Sequence, residues 1–222
     1  MSLPPSQIMR DWNNDALAAV WAHHQGRTEG IVDVKLELHR ACELSNDVLE
    51  DCLAIVRHTS MVAYKASSIG WHARAKRHEM SDRNMVYLLI RAAPGSKETF
   101  APSVPTDIIG FISFMITFDD APHQDRNVIY IYEVHIGEKF RGMGMGKWLV
   151  STVEAMAQMV GINKTMLTVF RSNKGAIKAY ENMGYVKDQA TPPDREVRRR
   201  IVKSDYLIMG KSWSLDSGEI IV

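Results

Sequence analysis

Hydrophobic and polar positions change period several times along the chain, and each change marks an element. Val32, Val34, Leu36 and Leu38 alternate with polar neighbours, which predicts a strand over residues 31–38 with one buried face. Ser45 then reads as a helix N-cap with Asp47 in the first turn, and Leu49, Leu53, Val56 and Met61 follow at helical spacing. Residues 71–80 predict a short basic helix. Strands are expected over residues 85–92, 108–118 and 128–136, separated by the turn Pro94-Gly95-Ser96 and a polar loop over residues 119–126. Gly146 opens a helix carrying Leu149, Val150, Val153, Met156, Ala157 and Val160. A strand over residues 166–170 comes next, then a helix over residues 173–183 that Gly184 stops. Tyr185 begins another strand, residues 195–200 form a loop or arm after Pro192-Pro193, and residues 201–209 make the last strand. A meander followed by strand–helix alternation implies an α+β (mixed α/β) fold. Its centre is a twisted mixed sheet of about seven strands with helices on both faces.

Ahead of these elements, Trp12, Leu17, Val20 and Trp21 recur at helical steps, so residues 1–30 read as a helical extension docked on a domain of residues 31–222. With 45% hydrophobic and 24% charged residues among 222, the chain can fill a core, which excludes global disorder. The net charge of +1 offers no basic face for bare nucleic acid, and no direct nucleic-acid partner is expected. Cys42 and Cys52 form neither a CxxC pair nor a Cys/His zinc spacing, so they are expected as two free buried thiols in a reducing compartment, with no metal. The first residues lack the basic and apolar regions of a signal peptide, and no apolar run approaches a membrane span of about 20 residues. The expectation is a soluble intracellular protein without membrane association.

The stretch Arg141-Gly142-Met143-Gly144-Met145-Gly146 lies between a strand and a helix, where backbone N–H groups make an anion site. A nucleoside-triphosphate loop would need Ser or Thr after Gly146-Lys147, where Trp148 stands, and a glycine where Arg141 stands. A dinucleotide fingerprint counted from Gly142 would put its third glycine at Lys147, and no acid follows Thr168-Val169-Phe170. What remains is Arg-x-x-Gly-x-Gly, met by Arg141, Gly144 and Gly146, or an ordinary glycine turn.

That pattern resembles the acetyl-CoA loop of the GNAT acetyltransferases. The resemblance is strengthened by Asn173, Ala176 and Tyr180 at steps of three and four before Gly184-Tyr185, and by the strand Tyr132-Glu133-Val134-His135-Ile136. It implies the GNAT fold and acetyl-CoA as the cofactor, released as CoA. The pyrophosphate would lie on Arg141, Gly142, Met143, Gly144, Met145, Gly146 and Lys147. Backbone at Val134, His135 and Ile136 would pair with the pantetheine arm, Asn173 and Ala176 would lie along it, and Tyr180 would lie near the sulfur.

Three further strings narrow the resemblance to NatD-type N-alpha-acetyltransferases. They are Gly70-Trp71 with Arg77-His78-Glu79-Met80, then Tyr130-Ile131-Tyr132-Glu133-Val134, and Met166-Leu167-Thr168-Val169-Phe170. Ile69 before Gly70 and a longer loop after Asp119 depart from that type. The type implies a monomer without an auxiliary subunit, cytoplasmic and nuclear, acting on the terminal serine of histone H4 and of the other core histone beginning Ser-Gly-Arg.

Direct transfer needs a neutral amine. An α-amine, with pKa near 7.7–8.0, is easier to deprotonate than a lysine by roughly 3 kcal/mol. Glu133, with Tyr132 beside it, is the first candidate base and Asp119 the second; His135 is a rival, more simply a histidine satisfied by neighbouring backbone. Tyr180 would protonate the departing thiolate. Alternation places Tyr130, Tyr132 and Val134 on one strand face and Ile131, Glu133 and His135 on the other, unless a bulge re-aims them. A Ser-Gly-Arg-Gly substrate calls for carboxylates, supplied by Asp119, Asp120, Glu133 and Asp205. It also calls for lining groups: Tyr64, Trp71 and Tyr206 resemble the family's peptide-lining aromatics, with a place in the core or on the rim as the alternative, and Tyr130 and Thr168 are further candidates. The arm and the helical cluster Arg74, Lys76 and Arg77 read as solvated. Lysine or small-amine acetylation and a non-catalytic acyl-CoA sensor stay open as alternatives.

Overall fold

The computed structural model describes residues 34–214 apart from residues 94, 122, 198 and 199, and gives backbone alone for residues 195–202. The extension expected over residues 1–30 lies outside the described residues. In chain order the elements are β1 (Val34–Arg40), α1 (Asn46–Lys65), α2 (Ala73–Met80), β2 (Val86–Ala92), β3 (Ile108–Phe118) and β4 (Asn127–Ile136). There follow α3 (Met145–Met159), β5 (Lys164–Phe170), α4 (Lys174–Asn182), β6 (Val186–Lys187), β7 (Arg195–Val197), β8 (Arg200–Val202) and β9 (Tyr206–Ser212). Seven strands form one sheet in the order β1-β2-β3-β4-β5-β9-β6. It is antiparallel everywhere except between β4 and β5, which α3 connects by a crossover.

Helices cover both faces, so the central strands are apolar on both sides rather than half polar. On β2, Val86, Leu88, Ile90 and Ala92 join the layer under α3 with Leu149, Val153 and Met156. Tyr87 and Leu89 join the opposite layer with Leu53, Ile55 and Val56 of α1. Ser45 caps α1 as expected, its hydroxyl accepting from Val48 N at 3.3 Å.

Several expectations are corrected. The last strand is interrupted: in the stretch read as an arm and the start of that strand, Arg195–Val197 and Arg200–Val202 pair as a separate two-stranded sheet, β7–β8, and only Tyr206–Ser212 enters the main sheet. Prolines 192 and 193 come before β7, not inside a strand, consistent with their lacking a ladder donor. Helix α3 starts one residue earlier than read, at Met145, because Gly144 takes the cap with φ +82°. Of the two cysteines only Cys52 is buried; Cys42 is exposed.

Candidate active site

The β3–β4 ladder pairs Phe114 with Ile131 but Ser113 with Glu133, leaving Tyr132 as an extra residue on β4. This bulge resets the alternation. Ile129, Ile131, Val134 and Ile136 face the layer of α3, whereas Tyr132 packs on the layer of α1 and Glu133 and His135 meet side chains of α1 and α2. The expected sharing of one face by Ile131, Glu133 and His135 is therefore wrong. Regular alternation cannot cross an inserted residue.

The same bulge ends the parallel ladder. Residues Ile129, Tyr130 and Ile131 pair with Thr165, Met166 and Leu167, and pairing stops there. Beyond Leu167, β5 continues against β9 through Phe170, while β4 runs on beside β3 alone. The two strands part like the arms of a V, and the β4 edge at Val134, His135 and Ile136 faces the gap. Ala176, Ile177 and Tyr180 of α4 pack beside Val134 and Ile136 against the adjoining core. Asn173 caps α4, accepting from Ala176 N at 3.1 Å.

At the wide end of the gap the glycine loop reverses the chain into α3. Gly142 and Gly144 hold φ of +80° and +82°, where a side chain is strained, and no atom lies within 4 Å of the Cβ position of either. Arg141 donates from Nε to the Ile136 carbonyl at 3.1 Å, leaving its guanidinium largely exposed beside the loop. Met143 and Lys147 are exposed as well. Open backbone, a helix N-terminus and two exposed cations fit a pyrophosphate, and the V-shaped gap fits an extended amide chain bonding to a strand edge.

Across the sheet from α3 lies a buried polar cluster. Glu133 is 6% exposed. Its Oε1 accepts from Lys76 Nζ at 2.9 Å and from the Tyr64 hydroxyl at 3.3 Å; its Oε2 faces His135 Nε2 at 2.7 Å. His135 Nδ1 lies 2.9 Å from Thr59 Oγ1 of α1, so side chains and not backbone satisfy this histidine. Lys76 Nζ also donates to Glu79 Oε1 at 2.6 Å and lies 4.9 Å over the Tyr64 ring. Burial alone would raise the Glu133 carboxyl, but the hydrogen bond and charge of His135 and then those of Lys76 overcome it and hold the group at about 2. Burial pushes Tyr64 up to about 12, helped by the Glu133 charge. Burial and the same charge push Tyr180 to about 12, so the influence of Glu133 crosses the strand gap.

Above the cluster opens a cleft of about 430 Å³. Lys76 and Glu79 line it from α2, Tyr64 and Trp71 from α1 and the segment after it, and Tyr130, Tyr132 and Thr168 from the strands. Tyr64 meets Trp71 edge-on at 5.6 Å and Phe170 at 5.0 Å, which fixes the aromatic wall. Tyr130 bonds Thr168 through their hydroxyls. Gly70, at φ +73°, turns the chain from α1 toward α2 around the rim.

The structure thus brings Tyr64, Trp71, Tyr130, Tyr132, Glu133 and Thr168 together at one place, with His135 beneath. It does not bring Asp119 there. Phe118 pairs with Asn127 at one end of the ladder, well along it from the Ser113–Glu133 pair, and Asp119 takes Lys164 Nζ at 2.9 and 3.1 Å. Asp205 binds the N–H and hydroxyl of Ser68 on the rim loop. Tyr206 pairs with Phe170 outside the cleft lining. Asp120 sits in the loop after β3, its N–H donating to Asp119.

Lys76, Glu79 and Thr59 were missed, and Lys76 was misread as solvated; it is 9% exposed. A signal existed: Ala73, Lys76 and Met80 share one helical stripe, and Met80 is 1% exposed. A lysine on an inward stripe demands a carboxylate partner.

With this geometry established, comparison with known proteins agrees in kind. The sequence pattern of the acetyltransferase (GNAT) family matches residues 63–185. The N-alpha-acetyltransferase 40 of Saccharomyces cerevisiae is 27% identical over 184 residues, covering 72% of this chain and 58% of the yeast protein. The uncharacterized N-acetyltransferase YycN of Bacillus subtilis is 30% identical over 79 residues, 36% of this chain and 48% of that protein. The chain thus spans about half the length of these relatives. Arabidopsis thaliana NAA60 in complex with a bisubstrate analogue superposes with a TM-score of 0.56 at 14% identity, over 81% of this chain and all of that one. That likeness is one of fold.

Proposed function

The chain belongs to the GNAT acetyltransferase family, and from that premise we propose that it moves the acetyl group of acetyl-CoA to the free N-terminal amine of a protein. The substrate class is a histone tail beginning Ser-Gly-Arg-Gly, and the protein acts as a monomer in cytoplasm and nucleus. One observation carries the reading: an ionised, buried Glu133 stands where β4 parts from β5, between the strand gap on one side and an aromatic cleft on the other. The name of the yeast relative and the strings shared with NatD-type enzymes support the choice of an N-terminal amine.

The residues around the gap suit acetyl-CoA. Gly142 to Gly146 with Arg141 and Lys147 would hold the pyrophosphate, and the edge at Val134, His135 and Ile136 would take the pantetheine amides. Bound there, acetyl-CoA supplies an activated acyl group as a thioester. The amine's lone pair forms the C–N bond, the C–S bond breaks, one proton leaves the amine and one reaches sulfur.

A carboxyl held well below the ordinary carboxylate range by His135 and Lys76 is a poor acceptor for a proton held by an amine near 8. Glu133 therefore works as a fixed anion. It accepts a hydrogen bond from the amine or from a water beside it and orients the lone pair while the proton leaves to solvent. An α-amine is already partly neutral near pH 7.5, so orientation suffices where a lysine would need a stronger base. Tyr180, kept protonated across the neutral range, donates a hydrogen bond to the departing sulfur.

The test is to incubate the protein with acetyl-CoA and a Ser-Gly-Arg-Gly-Lys peptide and to locate the product acetyl group by fragmentation mass spectrometry. Label on the α-amine is expected. Label confined to the lysine, or none, overturns the reading.

A further inference from the structure

We propose that Lys76 is a positioning residue for the transfer, its ammonium keeping the Glu133 carboxylate ionised and aimed while disfavouring the charged form of an amine bound beside it. The inference rests on the acyl-transfer reading above and assigns a cation that the reaction scheme leaves unused.

Lys76 reaches the cleft from the inward stripe of α2, with Nζ 2.9 Å from Glu133 Oε1 and 2.6 Å from Glu79 Oε1. It is held from above by the Tyr64 ring. Among the described residues that line the cleft it is the one fixed cation. The titratable groups around it come from every neighbouring element. They are Tyr64 on α1, His72 and Glu79 at α2, and Tyr132, Glu133 and His135 on β4, with Tyr87 on β2 and Tyr180 on α4 acting on or feeling the Glu133 charge.

Charge counting shows what the lysine does. Glu79 and Glu133 alone would present two negative charges to an incoming N-terminus and would trap it as the unreactive ammonium. Lys76 between them removes one of those charges, whatever the state of His135 beneath, and so weakens the hold on the N-terminus's proton. The lysine also stops Glu133 from swinging, since its carboxylate is pinned from Lys76 on one oxygen and His135 on the other.

The experiment compares wild-type protein, Lys76→Met and Lys76→Arg, measuring kcat against pH from 6 to 9 with saturating acetyl-CoA and Ser-Gly-Arg-Gly-Lys peptide. Because kcat reports ionisations within the ternary complex, it reads the bound amine. In Lys76→Met the acid limb is expected to move up by about one pH unit, an approximately tenfold loss near pH 6.5 that closes toward pH 9. Lys76→Arg, which keeps the charge, is expected to restore most of the wild-type profile. Acetyl-CoA affinity, assigned above to the glycine loop and the β4 edge and not to Lys76, certifies that each variant is folded. A loss in Lys76→Met that is equal at every pH, or failure of Lys76→Arg to restore the profile, overturns the inference alone. Wild-type protein that acetylates no α-amine overturns it together with the reading beneath it.

Discussion

Glu133 of β4 stands opposite Ser113 of β3, while Ile131, two residues earlier, stands opposite Phe114. Three residues of one strand therefore face two of the other, and Tyr132 is the surplus. One inserted residue puts the carboxylate on the cleft side and ends the β4–β5 ladder at Ile131. It shapes both halves of the candidate site.

Deleting Tyr132 tests this directly. Glu133 would then follow Ile131 in regular alternation, so both core layers keep their residues, while the β4 edge straightens toward β5. The variant is expected to stay folded by circular dichroism and to lose about tenfold or more in acetyl-CoA affinity by calorimetry, the equivalent of one or two strand-edge hydrogen bonds. A folded variant that binds acetyl-CoA as tightly as wild type would contradict the role given to the bulge.

The buried carboxylate makes stability depend on acid in a defined window. Glu133 titrates at about 2 in the folded chain against an ordinary value of 4.5, so the unfolded chain binds more protons between those limits. Its contribution is complete above about pH 4.5 and drains away as pH falls toward 2, on the order of 3 kcal/mol in all. Urea unfolding at pH 6 and pH 3 is expected to show a smaller acid loss for Glu133→Gln than for wild type. Glu37, also held at about 2 by Lys35, Arg91 and His39 against its own burial, affects both proteins alike and cancels.

Cofactor binding and acyl transfer should separate by mutation. Glu133→Gln is expected to lower kcat by at least about tenfold with acetyl-CoA affinity nearly unchanged, since its contacts lie on the α1–α2 side. Gly144→Glu places a strained backbone and a negative charge at the N-terminus of α3 and should weaken acetyl-CoA binding at least tenfold. Calorimetry with acetyl-CoA and steady-state rates decide the matter, and equal loss of binding in both variants would refute the assignment.

Tyr180→Phe removes only a hydroxyl from a half-buried ring that stacks near Tyr185 at 5.8 Å. Stability should change by less than about 1.5 kcal/mol, while kcat falls about tenfold or more. Unaltered kcat would remove Tyr180 from the reaction.

Much of the site was legible because its signals are local. The glycines at 142, 144 and 146 and the spacing of Asn173, Ala176 and Tyr180 were visible in a short stretch. Tyr130, Glu133 and Thr168 stood on predicted strands, and Tyr64 and Trp71 were marked by the family resemblance. Asn173, by contrast, was read as the first helical residue and not as the cap it is. Asp119 was legible as a carboxylate but not as a partner of Lys164, since that ion pair joins residues 45 positions apart. The pairing of β7 and β8 was hidden because short polar strands carry little periodicity.

The chain's own pattern determined the order of strands and helices, the mixed sheet covered on both faces, and a glycine turn set to receive an anion at a helix start. Periodicity and capping are properties of a few neighbouring residues, and they survive in any context. Only the tertiary structure decided that Tyr132 is surplus, that β4 and β5 part at Ile131, and that Lys76 and not solvent meets Glu133. Register depends on which partner a strand finds, and a charge becomes buried only when elements distant in sequence close over it.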